Sequence, residues 1–296
     1  MRKFDYFRPT TLDEALKMLD EYGARATASA GGTDLVVKAK KGKLDQDILV
    51  SLRGIKGLSF ISAEPGAIRV GGGTTLRDLE LSAEIGKSLP ALMDAVRNMA
   101  SVQIRNQATM AGNIVNAAPS ADTAPPLLAS GAELVLAAPA GTRRVPLDGF
   151  FLGPGRTGIR PGEILTEFII PLSSGPHGQA YWKHARRKAM DLAMVSVAVH
   201  LELEPDLTTC RLARVALGVA APTPIRTPEA EKRLVGRAVT AELLDSIGDA
   251  SCEESLCRDS IRGEAWYRQE IIKVMVRRMG LLALARARQE FGEGLR

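Results

Sequence analysis

The spacing of apolar residues predicts a chain of mixed helices and short strands. An apolar stripe over 12–19 indicates the first helix, with Thr11 and Glu14 forming a capping box ahead of it and Gly23 after it. Further helical patterns occupy about 76–100 (broken around 86–90), 125–131, 229–236, 241–247 and 266–288. Short β-type runs occupy 47–52, 57–62, 67–73, 133–138, 163–172, 194–203 and 210–220.

A cluster of turn-forming residues divides this pattern. "PLSSGPHG" at 171–178 contains two prolines and two glycines and separates two groups of β-type runs. We therefore predict a first domain over 1–174 and a second over 175–296. No internal repeat at a fixed period is apparent.

Composition narrows the class of protein. The 296 residues are 45% hydrophobic and 25% charged, as in an ordinary globular protein. The net charge of +5 comes with only 4% aromatic residues, which disfavours nucleic-acid binding. There is no signal-peptide pattern and no apolar run of transmembrane length, so we expect a cytoplasmic protein without a transmembrane segment. Cys210, Cys252 and Cys257 include no CxxC pair and are interpreted as structural thiols.

Several familiar catalytic motifs are missing from the sequence. "IGKS" at 85–88 fails as a phosphate-binding loop because Leu81 stands where a glycine is required. HExxH and GxSxG are also missing, and the three histidines are scattered. We therefore predict neither a metal site nor a catalytic side chain in this chain.

Two segments instead have side chains so small that the backbone is left bare. The first is "ASAGGTDL" at 28–35. Gly31 and Gly32 permit positive φ, so backbone N–H groups can point at an anion, and Thr33 adds a hydroxyl. These donors suit a diphosphate. The alternative is a tight turn between a strand and a helix.

The second segment is "QATMAGNIVNAAPSAD" at 107–122. It offers small polar donors at Thr109, Gly112, Asn113 and Asn116, and Asp122 can accept a hydrogen bond from a ribose hydroxyl. Two such segments in one half of the chain indicate an extended ligand. The alternative is a buried crossover whose Asn and Asp side chains satisfy their own backbone.

The pairing of "AGGTDL" with "GNIVNAAPSADTAPPLLA" closely resembles the FAD-binding medium subunit of the molybdenum hydroxylases, the family of carbon monoxide dehydrogenase and bacterial xanthine dehydrogenase. Counterparts occur in order over nearly the whole chain, in "FDYFRPTTLDEAL", "GGGTTLRDLE", 143–171, "AYWKHARRKAMDLAMVSVA" and "RGEAWYRQEIIKVMVRRM". The resemblance implies an α+β fold: a two-lobed α/β FAD-binding domain of the vanillyl-alcohol-oxidase (PCMH) type, followed by an α+β C-terminal flavoprotein domain. The lobes would span about 1–54 and 55–174.

The resemblance also assigns cofactor-binding positions. In the first segment these are Ala28, Ser29, Ala30, Gly31, Gly32, Thr33, Asp34 and Leu35, which would hold the diphosphate. In the second they are Ala108, Thr109, Gly112, Asn113, Asn116 and Asp122, with Asp122 toward the adenosine ribose. Leu165 and Lys183 match positions near the flavin ring. The alternatives are a core position for Leu165 and an exposed strand position for Lys183, while Tyr181 is a weaker candidate for shielding the ring.

Two departures from the family pattern are informative. Where the family often has Gly-Gly before an asparagine, this chain has Ala111 and Gly112, so Ala111 requires a negative φ. The chain also lacks the cysteine-bearing insertion of the 4-hydroxybenzoyl-CoA reductase branch, which disfavours that branch.

The resemblance implies an oxidoreductase subunit that transfers electrons. FAD would be bound non-covalently, since neither segment contains His or Cys. Electrons would come from 2Fe-2S clusters on a small partner and leave to an external acceptor, with NAD⁺, a quinone and ferredoxin all left open. A molybdenum cofactor on a large partner would oxidise the substrate, and the complex would be a dimer of heterotrimers, a heterohexamer. The alternatives are a self-sufficient FAD-dependent oxidase or dehydrogenase of the same fold, and a nucleotide-sensing protein without redox turnover.

The last helical pattern carries a row of cations. Its basic residues are Lys273, Arg277, Arg278, Arg286 and Arg288. They indicate either a docking surface for an acidic partner or a solvated helix face.

Overall fold

The computed structural model describes residues 3–292. Its strands are β1 (Asp5–Phe7), β2 (Ala26–Ser29), β3 (Ile48–Ser51), β4 (Ile61–Glu64), β5 (Ala67–Gly71), β6 (Glu133–Ala138), β7 (Gly141–Pro146), β8 (Phe151–Gly153), β9 (Arg156–Thr157), β10 (Ile164–Pro171), β11 (His177–His184), β12 (Val195–Leu203), β13 (Cys210–Gly218) and β14 (Ile225–Arg226).

The helices connect these strands. They are α1 (Leu12–Tyr22), α2 (Leu35–Lys40), α3 (Leu76–Leu81), α4 (Ala83–Ser88), α5 (Pro90–Arg97), α6 (Val102–Arg105), α7 (Met110–Val115), α8 (Ala124–Ser130), α9 (Pro228–Leu234), α10 (Ala241–Glu253) and α11 (Ala265–Gly292). Single 3-10 turns occur at Gly23–Arg25, Leu52–Gly54 and Lys56–Leu58. None of the helices within residues 3–292 combines the length and apolar character that crossing a bilayer requires.

The first helix forms where the apolar stripe predicts it. The Thr11 hydroxyl accepts the Glu14 amide at 3.2 Å, and the Glu14 carboxylate accepts the Thr11 amide at 3.3 Å, so the capping box is complete. Leu16 and Leu19 are buried, and Gly23 ends α1 with a φ of +49°, a conformation that favours glycine.

Three sheets follow one another along the chain. The first is parallel with strand order β1-β3-β2. The second is antiparallel with order β4-β5-β10-β6-β7, and the third is antiparallel with order β11-β12-β13-β14. Strands β8 and β9 form a separate small pair. The architecture is α+β, as the sequence indicates.

Three apolar clusters determine how the sheets pack. Helix α1 packs on the first sheet through Leu16, Leu19 and Val50. The second sheet and helices α3, α5, α7 and α8 share the largest cluster, which extends to Tyr181 and Ala198 on one face of the third sheet. The opposite face of the third sheet packs on α10 and α11. Burial on both faces explains why 194–203 is an almost continuous apolar run.

One predicted strand is only half correct. The run at 57–62 begins in the 3-10 turn Lys56–Leu58, and only its end enters β4. The Leu58 carbonyl accepts the Gly73 amide at 2.7 Å, which ties this part of the run to the turn after β5. Edge strands such as β7 were not predicted because their pattern of exposed polar residues lacks an apolar stripe.

Candidate functional site

The turn between β2 and α2 leaves a row of backbone donors free. The first helical bond runs from the Val36 amide to the Gly32 carbonyl at 2.9 Å, and the Asp34 side chain caps nothing. The amides of residues 31–35 consequently find no acceptor within residues 3–292. Gly32 has a φ of +73°, a backbone conformation that would be strained in a residue with a side chain. Consecutive free N–H groups on such a turn form a concavity that binds anions, and we call residues 31–35 the amide cradle.

Gly31 lets this turn touch the second segment. A Cβ built on Gly31 would lie 2.2 Å from the Gln107 carbonyl oxygen and 2.8 Å from the Ala108 Cα atom. Both neighbours are backbone atoms, so only glycine allows this approach. The two segments singled out in the sequence therefore form adjoining walls of one site.

The second segment is a short helix, where the sequence indicated a bare loop. Thr109 caps α7 by accepting the Gly112 amide at 3.1 Å, and its carbonyl accepts the Asn113 amide at 3.1 Å. The Met110 amide donates to the Thr74 carbonyl and the Ala111 amide to the Gly72 carbonyl, both in the turn that follows β5. The expectation of a bare backbone is therefore wrong for residues 110–113, whose amides all have acceptors. Ala111 lies within this helix and outside the left-handed region, so its expected negative φ is confirmed.

Free backbone donors do occur a few residues later. The amides of Ala118, Ser120 and Asp122 have no acceptor within the described part of the chain. These three residues also line the cavity described below. The second wall thus offers donors just beyond the positions that the sequence indicated.

Asp122 lies in a buried network with two residues of β11. Its carboxylate accepts the Lys183 ammonium at 2.8 Å and the Tyr181 hydroxyl at 3.0 Å. The Lys183 side chain is 6% exposed, so the interpretation of Lys183 as an exposed strand lysine is wrong. Lys183 also donates to the Asn98 carbonyl at 3.1 Å. Burial raises the pKa of the Asp122 carboxyl, while Lys183 and Tyr181 oppose that rise.

Both segments line one cavity of about 550 Å³. All but one of the sixteen sequence-assigned residues lie on its wall: Ala28, Ser29, Ala30, Gly31, Gly32, Thr33, Asp34, Leu35, Ala108, Thr109, Gly112, Asn113, Asn116, Asp122 and Leu165. The exception is Lys183, which lies behind Asp122. Leu165 is 3% exposed and belongs to the largest apolar cluster, so it is a core residue and a wall residue at once.

Sequence reasoning missed several parts of the wall. These are Lys38 on α2, the turn Met99–Ser101 with Ile104, the stretch Ile159 and Glu163–Ile164, and the loop Met190–Leu192. Lys38 alone carried a local signal, since it stands one helical turn after Asp34. The other stretches come from distant loops whose composition gives no sign of a ligand. Glu163 is paired with Arg143 at 2.7 Å, and that hydrogen bond lowers the pKa of the Glu163 carboxyl.

The site fits a dinucleotide cofactor such as FAD. Its volume lies within the roughly 300–1,000 Å³ usual for ligand cavities. The amide cradle supplies unpaired donors that a diphosphate would satisfy, and Leu165 supplies an apolar surface for a ring. No histidine or cysteine of the described residues lines the wall, so the site offers no side chain of the kind that carries a flavin covalently.

Family comparison assigns both halves of the chain. Residues 2–173 match the model of the FAD binding domain in molybdopterin dehydrogenase. Residues 180–283 match the CO dehydrogenase flavoprotein C-terminal domain. The first match covers more than half of the chain and contains the whole amide cradle.

Individual relatives span almost the full length. The chain is 35% identical to the xanthine dehydrogenase FAD-binding subunit of Escherichia coli O157:H7, over 95% of this chain and 96% of that one. It is 32% identical to the carbon monoxide dehydrogenase medium chain of Hydrogenophaga pseudoflava, over 96% and 98%. A solved carbon monoxide dehydrogenase from Hydrogenophaga pseudoflava superposes with a TM-score of 0.92 at 32% identity, over 96% of this chain and 98% of that one. The chain therefore belongs to the family of FAD-binding flavoprotein subunits of molybdenum hydroxylases, which are oxidoreductases.

Proposed function

We propose that this chain is the electron-transfer subunit of a molybdenum hydroxylase or dehydrogenase. In this proposal it takes electrons from 2Fe-2S clusters on a small partner and passes them to an external acceptor. A large partner carries the molybdenum cofactor, and the complex is a dimer of heterotrimers. Bound FAD supplies the ring that takes up and releases electrons.

The amide cradle is the observation that carries the proposal. Five consecutive backbone donors have no acceptor within residues 3–292, and all five residues line a cavity of about 550 Å³. Residues 31–35 are half-buried or exposed, so their amides are accessible to a ligand, and a row of free N–H groups on one turn forms an anion-binding concavity. We assign the diphosphate of FAD to the cradle and the amides of Ala118 and Ser120 to the opposite wall.

The remaining assigned residues hold and orient the cofactor. Leu165 offers an apolar contact to the flavin ring, and Asn113 and Asn116 place side-chain amides on the wall. Asp122 faces the cavity while Tyr181 and Lys183 fix its carboxylate from behind. We therefore propose that Lys183 acts on the cofactor through Asp122, as a positioning residue. No side chain of this chain is assigned a catalytic role.

The names of the relatives support placing substrate oxidation on another subunit. Relatives that match most of this chain are named as subunits or chains of a xanthine dehydrogenase, a carbon monoxide dehydrogenase and a nicotinate dehydrogenase. Substrates so different are hard to reconcile with one site on a shared subunit. The cysteines Cys210, Cys252 and Cys257 are all free thiols, which supports a reducing compartment, and we place the complex in the cytoplasm.

We also propose the domain division of 1–174 and 175–296, with lobes of about 1–54 and 55–174. Each unit so defined contains one of the three larger sheets. The first sheet lies within Asp5–Ser51, the second within Ile61–Pro171 and the third within His177–Arg226.

The test is to isolate the complex from its own cells through a tag on this chain, without a denaturing step. We expect flavin absorbance, flavin that acid releases from the protein, iron and molybdenum, and two further chains, one large and one small. Anaerobic addition of the substrate of the complex should bleach the flavin only when the partners are present.

Other outcomes would contradict the proposal in distinct ways. A yellow chain that purifies alone and is reduced directly by a small organic donor would be a self-sufficient oxidase or dehydrogenase. A chain that carries a nucleotide but no flavin would be a nucleotide-sensing protein.

A further inference from the structure

The cavity wall carries more acidic than basic side chains. Four carboxylates line it: Asp34, Asp122, Glu163 and Asp191. Three of them are paired with cations that stand off the wall, in the pairs Asp122–Lys183, Glu163–Arg143 and Asp191–Arg187. Among the described residues, Lys38 is the only cation on the wall itself. A diphosphate brings two negative charges to a site whose other cations are already engaged.

Lys38 lies one helical turn after Asp34 of the amide cradle. Its amide donates to the Asp34 carbonyl at 2.9 Å, so Lys38 and Asp34 stand one turn apart on the same face of α2. Side chains on a helix lean toward its N-terminus, which directs Lys38 back toward residues 31–35. Lys38 and all five residues of the amide cradle line the same cavity.

Lys38 also bridges the two walls of the cavity. Its ammonium donates to the Asn116 side-chain oxygen at 2.8 Å. Asn116 directly follows α7, so the bond joins residues that are 78 positions apart in the chain. A neutral amide oxygen is a weaker partner for an ammonium than a phosphate oxygen is, because the phosphate adds the attraction between two opposite charges.

We propose that Lys38 is a binding residue for the diphosphate of the cofactor, held in place by Asn116. Among the described residues it supplies the one positive charge of the wall, while the amide cradle supplies the fixed dipoles. This inference rests on the proposed function, since it names a further contact to the same cofactor. It predicts that cofactor affinity depends on salt through this single side chain.

The test uses the full chain stripped of flavin and titrated with FAD at several salt concentrations, following the quenching of flavin fluorescence. Lys38→Met should weaken FAD binding by about tenfold at low salt, as expected for the loss of one charge-assisted contact. The variant should also lose most of the salt dependence. Lys38→Arg should restore much of the affinity. Lys40→Met is the matched control, because Lys40 is an exposed lysine on the same helix that does not line the cavity.

Competition with fragments identifies the part of the cofactor that Lys38 contacts. ADP should compete with FAD about tenfold less well in Lys38→Met than in the unaltered chain, since ADP keeps the diphosphate. Adenosine should compete equally in both. Equal FAD affinity and equal salt dependence in Lys38→Met and in the unaltered chain would overturn the inference and leave the proposed function standing. Failure of the unaltered chain to bind FAD would overturn both.

Discussion

Gly31 illustrates how one missing side chain sets the distance between two walls of a site. Its Cα faces the backbone of Gln107 and Ala108 so closely that any Cβ would overlap a carbonyl oxygen. The amide cradle and the second segment are therefore adjacent only because residue 31 is glycine. A side chain there would have to push two backbone segments apart, which no rotamer change can relieve.

We expect Gly31→Ala to separate these walls. The overlap should lower the free energy of unfolding by about 1–3 kcal/mol, the usual cost of overpacking, and reduce bound flavin. The measurements are urea-induced unfolding and flavin absorbance per chain. Gly57→Ala is the control, because a Cβ on Gly57 has no neighbour within 4 Å. Unchanged stability and full flavin content in Gly31→Ala would contradict the account of this contact.

The buried pair of Asp122 and Lys183 is a second contact between single side chains. Both are under a tenth exposed, so neither charge is solvated when its partner is lost. We expect Lys183→Met to lower the free energy of unfolding by about 3–5 kcal/mol, the typical cost of leaving a buried charge unpaired. Urea denaturation at pH 7 measures this decrease in the free energy of unfolding.

A double-variant cycle separates this effect from lost packing. Asp122→Asn combined with Lys183→Met removes both charges, so the double variant should be more stable than Lys183→Met alone. Additive losses in the two single variants would instead show that the ion pair contributes nothing beyond packing.

Strand β12 places an unusual polar residue where the third sheet is buried. His200 is 2% exposed, and its Nε2 lies 3.2 Å from the Ser173 hydroxyl, which in turn donates to Glu202 at 2.6 Å. The hydroxyl oxygen can therefore accept from Nε2–H, which leaves Nδ1 without a partner among the described residues. Burial lowers the pKa of His200 to about 4, against the opposing effect of Glu202 and with smaller contributions from Arg214 and His177.

His200 in β12 should make the free energy of unfolding depend on pH. The folded-state pKa of His200 lies below its ordinary value of 6.5, so the neutral form favours the folded chain. The contribution is complete above about pH 6.5 and is lost as the pH falls toward 4, amounting to about 3 kcal/mol at 1.4 kcal/mol per pKa unit. We expect the free energy of unfolding to fall less between pH 7 and pH 4.5 in His200→Gln than in the unaltered chain. Parallel pH profiles would contradict the assignment.

Helix α11 joins the two parts of the molecule, and its cations are mostly engaged within the chain. Lys273 and Arg277 pair with Asp249 and Asp245 of α10, and the Arg288 guanidinium donates to the Leu207 carbonyl at 3.0 Å. Arg278 alone of this row has no partner within residues 3–292. The idea that the whole row docks an acidic partner loses support, because four of the five cations already have acceptors in this chain.

Arg286 makes the contact that spans the molecule. From α11 it binds Asp94 of α5 at 2.8 Å and donates to the Gln179 carbonyl of β11 at 2.7 Å. We expect Arg286→Ala to lower the free energy of unfolding by about 1–2 kcal/mol, since both bonds are charge-assisted but the side chains are partly exposed. Calorimetric unfolding measures the loss. Arg278→Ala, at an exposed position of the same helix, should leave the transition unchanged, and an equal loss in both variants would contradict the role given to Arg286.

Local features of the sequence determined much of this molecule. The capping box and apolar stripe specify α1, since both depend on residues within one or two turns. The bare turn at Gly31 and Gly32 was predictable for the same reason, because the freedom of glycine is a property of the residue itself. The resemblance to flavoprotein subunits extended these signals to the fold class and to fifteen of the wall residues.

The tertiary structure alone decided which distant groups meet. Capping by Thr109 and by carbonyls of the turn after β5 turned the expected second loop into α7 and used up its donors. The pairing of Lys183 with Asp122, 61 positions apart, shows that this lysine is a buried partner of a carboxylate on the cavity wall. Likewise Lys38 and Asn116, which are 78 positions apart, line the same cavity only because the fold brings them together. Such contacts depend on how sheets and helices pack, and packing is set by the whole chain because no local pattern fixes the partner of a side chain.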